Sequence, residues 1–197
     1  KLLLHLATAS RYGYFGDELY FMACGEHLDW GYVDQPPLVA AVAWLVRHTL
    51  GTSLLAMRLP SALAGAALVL LTGLLAREMG GGRFAMGLSA LASALAFVYV
   101  VMHYLFTMNA FEPLFWTGCA YVVVRIVKTG EQRLWLAFGA IAGLCLQHNY
   151  STALLAFPLV LGVGVDYGIY VVIAARQPGN AQENLATVVK PVLLSGL

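Results

Sequence analysis

Residues 59–76 read LPSALAGAALVLLTGLLA, an apolar run without a charged side chain, and Arg58 and Arg77 bound it. A helix needs about 20 apolar residues to cross the hydrocarbon core of a bilayer, so this run predicts a transmembrane helix. Pro60 and Ser61 suit a helix start, which predicts that the span begins there. Further spans are predicted at 84–108, 111–124 (extending to about 127), 134–147 and 152–175. The apolar segment 38–50 is too short to span and predicts an interfacial helix.

The composition of the chain also indicates a membrane protein. Hydrophobic residues make up 60% of the chain and charged residues 11%, whereas globular chains carry roughly a quarter charged residues. The fold class expected is therefore all-α, a polytopic transmembrane helical bundle. Both ends stop within short apolar stretches, so we expect the bundle to be truncated at each. The formal charge of +1, without a basic run, argues against nucleic acid as a partner.

Basic residues mark alternate loops between the predicted spans. They are Arg77 and Arg83, then Arg125, Lys128 and Arg133, and then Arg176. Because Lys and Arg near span ends favour the cytoplasm, these loops are predicted to be cytoplasmic. The intervening loops are then extracytoplasmic, and they carry Asp17, Glu18, Glu26, Asp29, Asp34, Glu112 and His148. The predicted outward face is acidic, and its largest loop, 10–57, is rich in Tyr and Trp, as expected at a membrane interface.

Asp17 and Glu18 form the densest part of this acidic face, and they follow directly after Gly16. A carboxylate next to low-dielectric surroundings can be tuned to act as a general base on an acceptor hydroxyl or amine. The alternative is a solvated acidic pair that caps a helix over residues 19–27. Spacing alone leaves both interpretations open.

Two more carboxylates stand beside prolines. Asp34 precedes the proline pair 36–37, which fixes an extended turn, so its carboxylate could bind a sugar or a metal ion. The alternative is an N-cap for the helix predicted to begin near Leu38. Glu112, just before Pro113, lies at the mouth of a span, either as a site residue or as a first-turn residue favoured by the helix dipole.

Nitrogen-bearing side chains occur on the same predicted face. Arg58 lies at the outward end of its span, against the positive-inside trend, and could neutralise a phosphate. His148 and Asn149 belong to the polar stretch QHNYS at 147–151, which could contact a ligand or form a simple turn. Residues 149–151 also fit the glycosylation acceptor pattern, which is short and often matches by chance. The glycine run 80–82 lacks the context of a phosphate-binding loop, so no nucleotide cofactor is expected.

Four motifs resemble those of bacterial family-39 glycosyltransferases, relatives of protein O-mannosyltransferases and lipid A aminoarabinose transferases. They are residues 11–20 (RYGYFGDELY), 31–38 (GYVDQPPL), 58–65 (RLPSALAG) and 109–116 (NAFEPLFW), in the family's order. The resemblance covers about residues 1–155. One departure is that relatives usually carry Asn-Lys-Tyr/His-Ser near 148–151, and this chain lacks that lysine.

The resemblance implies a GT-C fold in which a polyprenyl-phosphate sugar on the extracytoplasmic leaflet is the donor, without a nucleotide. Asp17 matches the family's proposed catalytic base, and Glu18 completes the acidic motif as a second catalytic candidate. Candidate donor- or acceptor-binding residues are Asp34, Arg58, Glu112, His148 and Asn149. The lipid-linked sugar is the donor substrate in this scheme. The resemblance specifies no cofactor, and a divalent metal is an open alternative.

A second resemblance begins near the end of the first. Residues 158–170 (PLVLGVGVDYGIY) are similar to the fourth membrane helix of resistance-nodulation-division lipid exporters, where an Asp at the position of Asp166 belongs to a proton relay. The alternative is a structural, hydrogen-bonded Asp166 in a glycine-packed helix. Two parts are therefore predicted, with a fusion, a chimera or a sequence join near 152–158. Residues 1–155 form a partial GT-C membrane domain, in which 10–57 is an extracytoplasmic loop with interfacial helices, and 156–197 form an exporter-like helix with a cytoplasmic amphipathic segment.

The leading hypothesis is a glycosyltransferase of the bacterial inner membrane that moves a sugar from a polyprenyl-phosphate donor to a lipid, glycan or protein acceptor on the extracytoplasmic face. In this hypothesis Asp17 deprotonates the acceptor and Arg58 steadies the donor phosphate. The second hypothesis is a fragment of a proton-driven lipid exporter that relies on Asp166. The expected partners are membrane lipid and the lipid-linked sugar, with no nucleic acid.

Overall fold

The computed structural model describes residues 1–149, and among these residues all the regular structure is helical. The helices are α1 (Leu2–Thr8), α2 (Gly16–Glu26), α3 (Leu38–Thr49), α4 (Leu54–Glu78), α5 (Arg83–Leu95), α6 (Phe97–Met102), α7 (Glu112–Thr129) and α8 (Leu134–Leu146), with a 3-10 turn at Met108–Ala110. The predicted span 152–175, Asp166, the loop at Arg176 and the exporter-like segment 156–197 lie outside the described residues.

Three of the predicted helices are confirmed almost to the residue. α3 and α8 end one residue before the limits predicted for them, 50 and 147. α7 covers 112–129 where the apolar run predicts 111–124 extending to about 127. It ends at Gly130, whose φ of 68° is the left-handed conformation that glycine adopts readily at a helix C-terminus.

The start predicted for α4 is wrong. The helix begins at Leu54, because the Ser53 side chain accepts a hydrogen bond from the backbone N–H of Ala56 at 3.2 Å and caps the N-terminus there. Pro60 therefore lies inside the helix, where it removes one backbone hydrogen bond without ending the helix. Arg58 consequently projects from a helical turn instead of preceding the helix.

The predicted span 84–108 is also wrong as one continuous helix. Ala96, with φ −55° and ψ 118°, leaves the helical conformation and separates α5 from α6. Nothing in the local sequence explains this break, since neither proline nor glycine stands at it. His103, which follows α6, is buried and held by its neighbours. Its Nδ1 lies 2.5 Å from the carbonyl oxygen of Tyr99, and its ring packs against Gly65, where a Cβ would meet it at 2.7 Å.

Two helical stretches among residues 1–149 are long and apolar enough to cross a membrane, Leu54–Glu78 and Met108–Thr129. α3, α5 and α8 are apolar but shorter. In the most apolar windows of the two long stretches only 33% and 28% of the residues are buried within the protein. An apolar core helix of a soluble protein would be mostly buried, so these exposed apolar surfaces indicate contact with lipid.

The helices pack so that the loops fall into two groups. α4 packs against α1, α5 and α7, while α7 packs against α8 and α2 against α3. Lys128 Nζ lies 3.9 Å from Glu78 Oε2, which brings together the C-terminal ends of α7 and α4. The turns at 79–82 and 130–133 therefore share one end of the bundle. We call the other end of the bundle the motif end. It is formed by residues 53–58, 103–112 and 146–149, with α2 and α3 beside them.

Candidate functional site

Glu18 and Arg58 form a buried, bidentate ion pair at the motif end. Arg58 Nε lies 2.8 Å from Glu18 Oε1, and Arg58 Nη2 lies 2.7 Å from Glu18 Oε2. The Glu18 side chain is 0% exposed and that of Arg58 is 3% exposed. Planar fork-to-fork pairing of this kind is both strong and geometrically specific. The pair fastens the first turn of α2 to the second turn of α4, 40 residues further along the chain.

The remaining contacts of Arg58 hold the segment that leads into α2. Its Nη1 donates to the carbonyl oxygen of Ala9 at 2.6 Å, and its Nη2 donates to that of Gly13 at 3.0 Å. The guanidinium also lies 4.7 Å from the ring centroid of Tyr104, a cation–π distance. The Tyr104 hydroxyl in turn donates to the carbonyl oxygen of Thr8 at 2.9 Å. Arg58 thus fixes the path of residues 8–13.

Glu18 accepts two further hydrogen bonds from the backbone. The N–H of Phe15 lies 2.9 Å from Oε2 and closes the N-terminus of α2, while the N–H of Phe106 lies 3.0 Å from Oε1. Burial raises the pKa of Glu18, but the hydrogen bonds from Arg58 and from these two N–H groups outweigh it, and the pKa is lowered overall. Glu18 is therefore held as a carboxylate at neutral pH.

These contacts bear on the roles that the sequence predicts for Glu18 and Arg58. Both oxygens of Glu18 and all three nitrogens of Arg58 already have partners within the protein. A general base needs a lone pair directed at the acceptor, and an arginine that binds phosphate needs an open fork. Catalysis by Glu18 and phosphate binding by Arg58 stay predictions, while the geometry favours a role in holding the motif end together.

Asp17 differs from its neighbour in every one of these respects. It lies in the first turn of α2 and is exposed, whereas Glu18 is buried. Adjacent residues of a helix point about 100° apart, so the two carboxylates cannot share one direction. Among the described residues no hydrogen bond or ion pair engages its side chain. The interpretation of Asp17 and Glu18 as a solvated capping pair is wrong for Glu18, which does cap the helix but is buried. The Asp17 carboxylate is exposed at the surface, and its role as a catalytic base stays a prediction.

Asp34 is held by a side chain that the sequence analysis missed. The Tyr20 hydroxyl donates to Asp34 Oδ1 at 2.6 Å. The alternative role of Asp34 as an N-cap is wrong, since the N-cap of α3 is Pro37 and no side chain caps that helix. The spacing of Tyr20, three residues after Asp17 and hence on the same side of a helix, is the signal that could have identified it.

His148 and Asn149 close the motif end. His148 is buried between the rings of Phe111 and Phe115, whose centroids lie 5.3 and 5.6 Å away, and its Nε2 hydrogen-bonds with the carbonyl oxygen of Met108. Burial lowers the pKa of His148, so the ring is neutral at pH 7. Asn149 is partly buried. This environment favours a polar turn over direct ligand contact for His148.

Glu112 stands where the sequence places it, in the first turn of α7 beside Pro113, and is partly exposed. Its charge acts on His148, so it belongs to the motif end. Both interpretations of Glu112, as a first-turn residue and as a site residue, are compatible with this position. Residues 1–149 contain no group of three or more His, Cys, Asp or Glu side chains that could hold a metal ion.

An open groove of about 610 Å³ lies between the loop before α3, the start of α3 and the end of α8. Its volume falls within the range typical of small-molecule sites. Its lining residues are Leu28, Asp29, Trp30, Pro37, Leu38, Ala41, Leu144 and Gln147. The backbone N–H of Leu38 donates to the carbonyl oxygen of Gln147 at 3.0 Å, which joins the two walls.

A comparison with protein families gives a match over most of the chain. The family model described as dolichyl-phosphate-mannose-protein mannosyltransferase matches residues 34–188. The matched range begins at Asp34 and continues through Arg58, Glu112 and Asp166. Searches of curated proteins and of solved structures found no match. The exporter interpretation of Asp166 is therefore not supported, since the matched range runs through this residue to 188.

Proposed function

The chain belongs to the dolichyl-phosphate-mannose-protein mannosyltransferase family and is a membrane glycosyltransferase of the GT-C type, and we propose that it transfers a sugar from a polyprenyl-phosphate donor at the extracytoplasmic face. The acceptor is a hydroxyl or amine of a lipid, a glycan or a protein. The active face is the motif end, and the membrane is the bacterial inner membrane.

The position of Asp17 carries this proposal. Asp17 is exposed in the first turn of α2, next to the buried Glu18–Arg58 pair that fixes the turn. A general base has to be accessible to the acceptor and rigidly placed, because small displacements in a reacting geometry are costly. Asp17 meets both requirements, whereas the buried Glu18 meets only the second.

In the proposed reaction the acceptor oxygen or nitrogen attacks the anomeric carbon of the lipid-linked sugar. The Asp17 carboxylate takes the acceptor proton, a glycosidic bond forms, and the bond from the anomeric carbon to the phosphate oxygen breaks. The polyprenyl phosphate leaves with the electron pair of that bond. Asp34, Glu112 and Asn149 are the proposed binding residues at the motif end. Arg58 contributes indirectly, because it holds Glu18 and the segment 9–13 that leads into α2.

The donor class can be tested in proteoliposomes that contain the purified protein and an acceptor extract. Labelled mannose is supplied either on a polyprenyl phosphate or on a nucleotide. We expect transfer from the lipid-linked donor alone, because no nucleotide-binding loop occurs in the sequence. Transfer from the nucleotide-linked donor alone would refute the proposal.

The face can be tested with an impermeant maleimide on intact cells. Thr52 is exposed at the motif end and Gln132 is exposed in a turn at the opposite end, whereas Cys24, Cys119 and Cys145 are all buried. We expect Thr52→Cys to be labelled in intact cells and Gln132→Cys only after permeabilisation. The opposite pattern would place the motif end in the cytoplasm.

A further inference from the structure

Tyr20 connects two acidic motifs that are separate in the sequence. Its hydroxyl lies 2.6 Å from Asp34 Oδ1, a short, charge-assisted hydrogen bond. Both side chains are exposed, so the bond faces the surface instead of the protein core. A short hydrogen bond between exposed groups contributes little to folding and calls for another explanation.

The same side of α2 holds the rest of the segment that contains Asp34. Asp17, Tyr20 and Cys24 are spaced i, i+3 and i+7 and so lie along one face of the helix. Gln35 is buried, and its Nε2 lies 3.6 Å from Cys24 Sγ. Asp34 and Gln35 therefore dock side by side along the helical face on which Asp17 stands.

The backbone of this segment is also restrained, so that one side-chain bond can set the direction of the carboxylate. The N–H of Tyr32 donates to the carbonyl oxygen of Gln35 at 2.9 Å and closes a turn, and two prolines follow at 36–37. The Asp34 side chain can still rotate about its own bonds, and the turn can still move relative to α2. The hydrogen bond from Tyr20 restrains both motions, because it ties residues 33–35 to the helix.

We propose that Tyr20 is a positioning residue, which holds the Asp34 carboxylate on the face of α2 that carries Asp17. This proposal rests on the proposed transferase function, since it assumes that both carboxylates face the substrate. The hydrogen bond to Asp34 raises the pKa of Tyr20, so the hydroxyl remains a donor throughout the working pH range. Substrate then meets two carboxylates in a fixed arrangement.

The experiment is a double-mutant cycle of Tyr20→Phe and Asp34→Ala, measured as kcat/KM for transfer from the lipid-linked donor. Tyr20→Phe removes only the hydroxyl, and we expect a roughly ten- to hundredfold loss, the range for a hydrogen bond to a charged group. In the Asp34→Ala background the same change is expected to cost nothing further. Unchanged activity of Tyr20→Phe, or an equal loss in both backgrounds, would overturn the proposal.

Two controls separate positioning from local structure. Tyr121→Phe alters a partly buried tyrosine that packs against the core between α7 and α8, and it is expected to keep wild-type kcat/KM. Tyr32→Phe removes a hydroxyl that lies 2.8 Å from the carbonyl oxygen of Cys24, so it loosens the same loop without touching Asp34. Its loss is expected to persist in the Asp34→Ala background.

Hydrogen–deuterium exchange distinguishes failure of this proposal from failure of the proposed function. Tyr20→Phe is expected to speed exchange at residues 33–35, and Tyr121→Phe is not. If the wild-type protein transfers no sugar but this difference in exchange is seen, the transferase proposal fails while the Tyr20 contact stands. Exchange that is unchanged in Tyr20→Phe would refute the positioning role itself.

Discussion

Asp17→Asn is expected to reduce sugar transfer by roughly 10²- to 10⁴-fold, the range that general base catalysis contributes. Asparagine has nearly the same size and is accepted near the start of a helix, but it cannot take a proton from the acceptor. The Asp17 side chain is exposed, so the variant is expected to fold normally. Turnover from the lipid-linked donor is the measurement, with circular dichroism and size-exclusion chromatography as tests of folding.

Glu26→Gln is the matched control for Asp17→Asn. Glu26 is an exposed carboxylate at the other end of α2, and it pairs with Arg47 at the surface. Exposed ion pairs contribute about 1 kcal/mol or less, so this variant is expected to keep both its fold and its turnover. Normal turnover of Asp17→Asn would show that Asp17 is not the base, and an equal loss in Glu26→Gln would point to a general effect of charge on α2.

The sequence predicts a helix best where the residues next to its two ends determine where it begins and ends. α3 and α8 are apolar runs bounded by prolines, charges or polar residues, and their ends follow from those neighbours. The start of α4 is not predicted correctly, because the helix extends upstream through Arg58 to the cap at Ser53. A charged residue normally marks the end of an apolar span. Arg58 does not, because it is buried in an ion pair with Glu18, and the local sequence does not show this partner.

The candidate site shows the same limit. Asp17 and Glu18 look equivalent in the sequence, yet one is exposed and the other is 0% exposed. Helix geometry requires them to point in different directions, but it does not say which faces the protein. That choice depends on Arg58 and on the N–H of Phe106, which are 40 and 88 positions away. Contacts at such separations leave no periodic signal in a single sequence.

Glu18→Gln is expected to destabilise the protein by about 3–5 kcal/mol, because it leaves the buried Arg58 without its counter-charge. The segment 9–13, which Arg58 holds through Ala9 and Gly13, is expected to loosen at the same time. The apparent melting temperature in detergent reports the first effect. Faster tryptic cleavage after Arg11, which is exposed within that segment, reports the second.

Arg47→Ala is the control for the loss of an ion pair as such. It breaks the exposed pair between Arg47 and Glu26, whose side chains are 38% and 46% exposed. The expected cost is about 1 kcal/mol or less, with no change in cleavage after Arg11. A Glu18→Gln variant no less stable than Arg47→Ala would contradict the role assigned to the buried pair.

Replacing both partners, as in Glu18→Leu with Arg58→Met, is expected not to restore stability. A buried ion pair can often be exchanged for apolar residues at little cost. Here the pair also bonds the carbonyl oxygens of Ala9 and Gly13 and the N–H of Phe106. Each buried backbone group left without a partner costs about 1–3 kcal/mol. Exchanging the two charges between positions 18 and 58 fails for the same reason, since position 58 would no longer donate to carbonyl oxygens.

The combination of stability and turnover decides between the two roles of Glu18. If the pair only supports the site, Glu18→Gln loses turnover in proportion to its loss of folded protein, and turnover per folded molecule stays within about tenfold of wild type. If Glu18 takes part in the chemistry, the folded fraction is inactive, as expected for Asp17→Asn. Each oxygen of Glu18 accepts one hydrogen bond from Arg58 and one from a backbone N–H group. We therefore expect the first outcome.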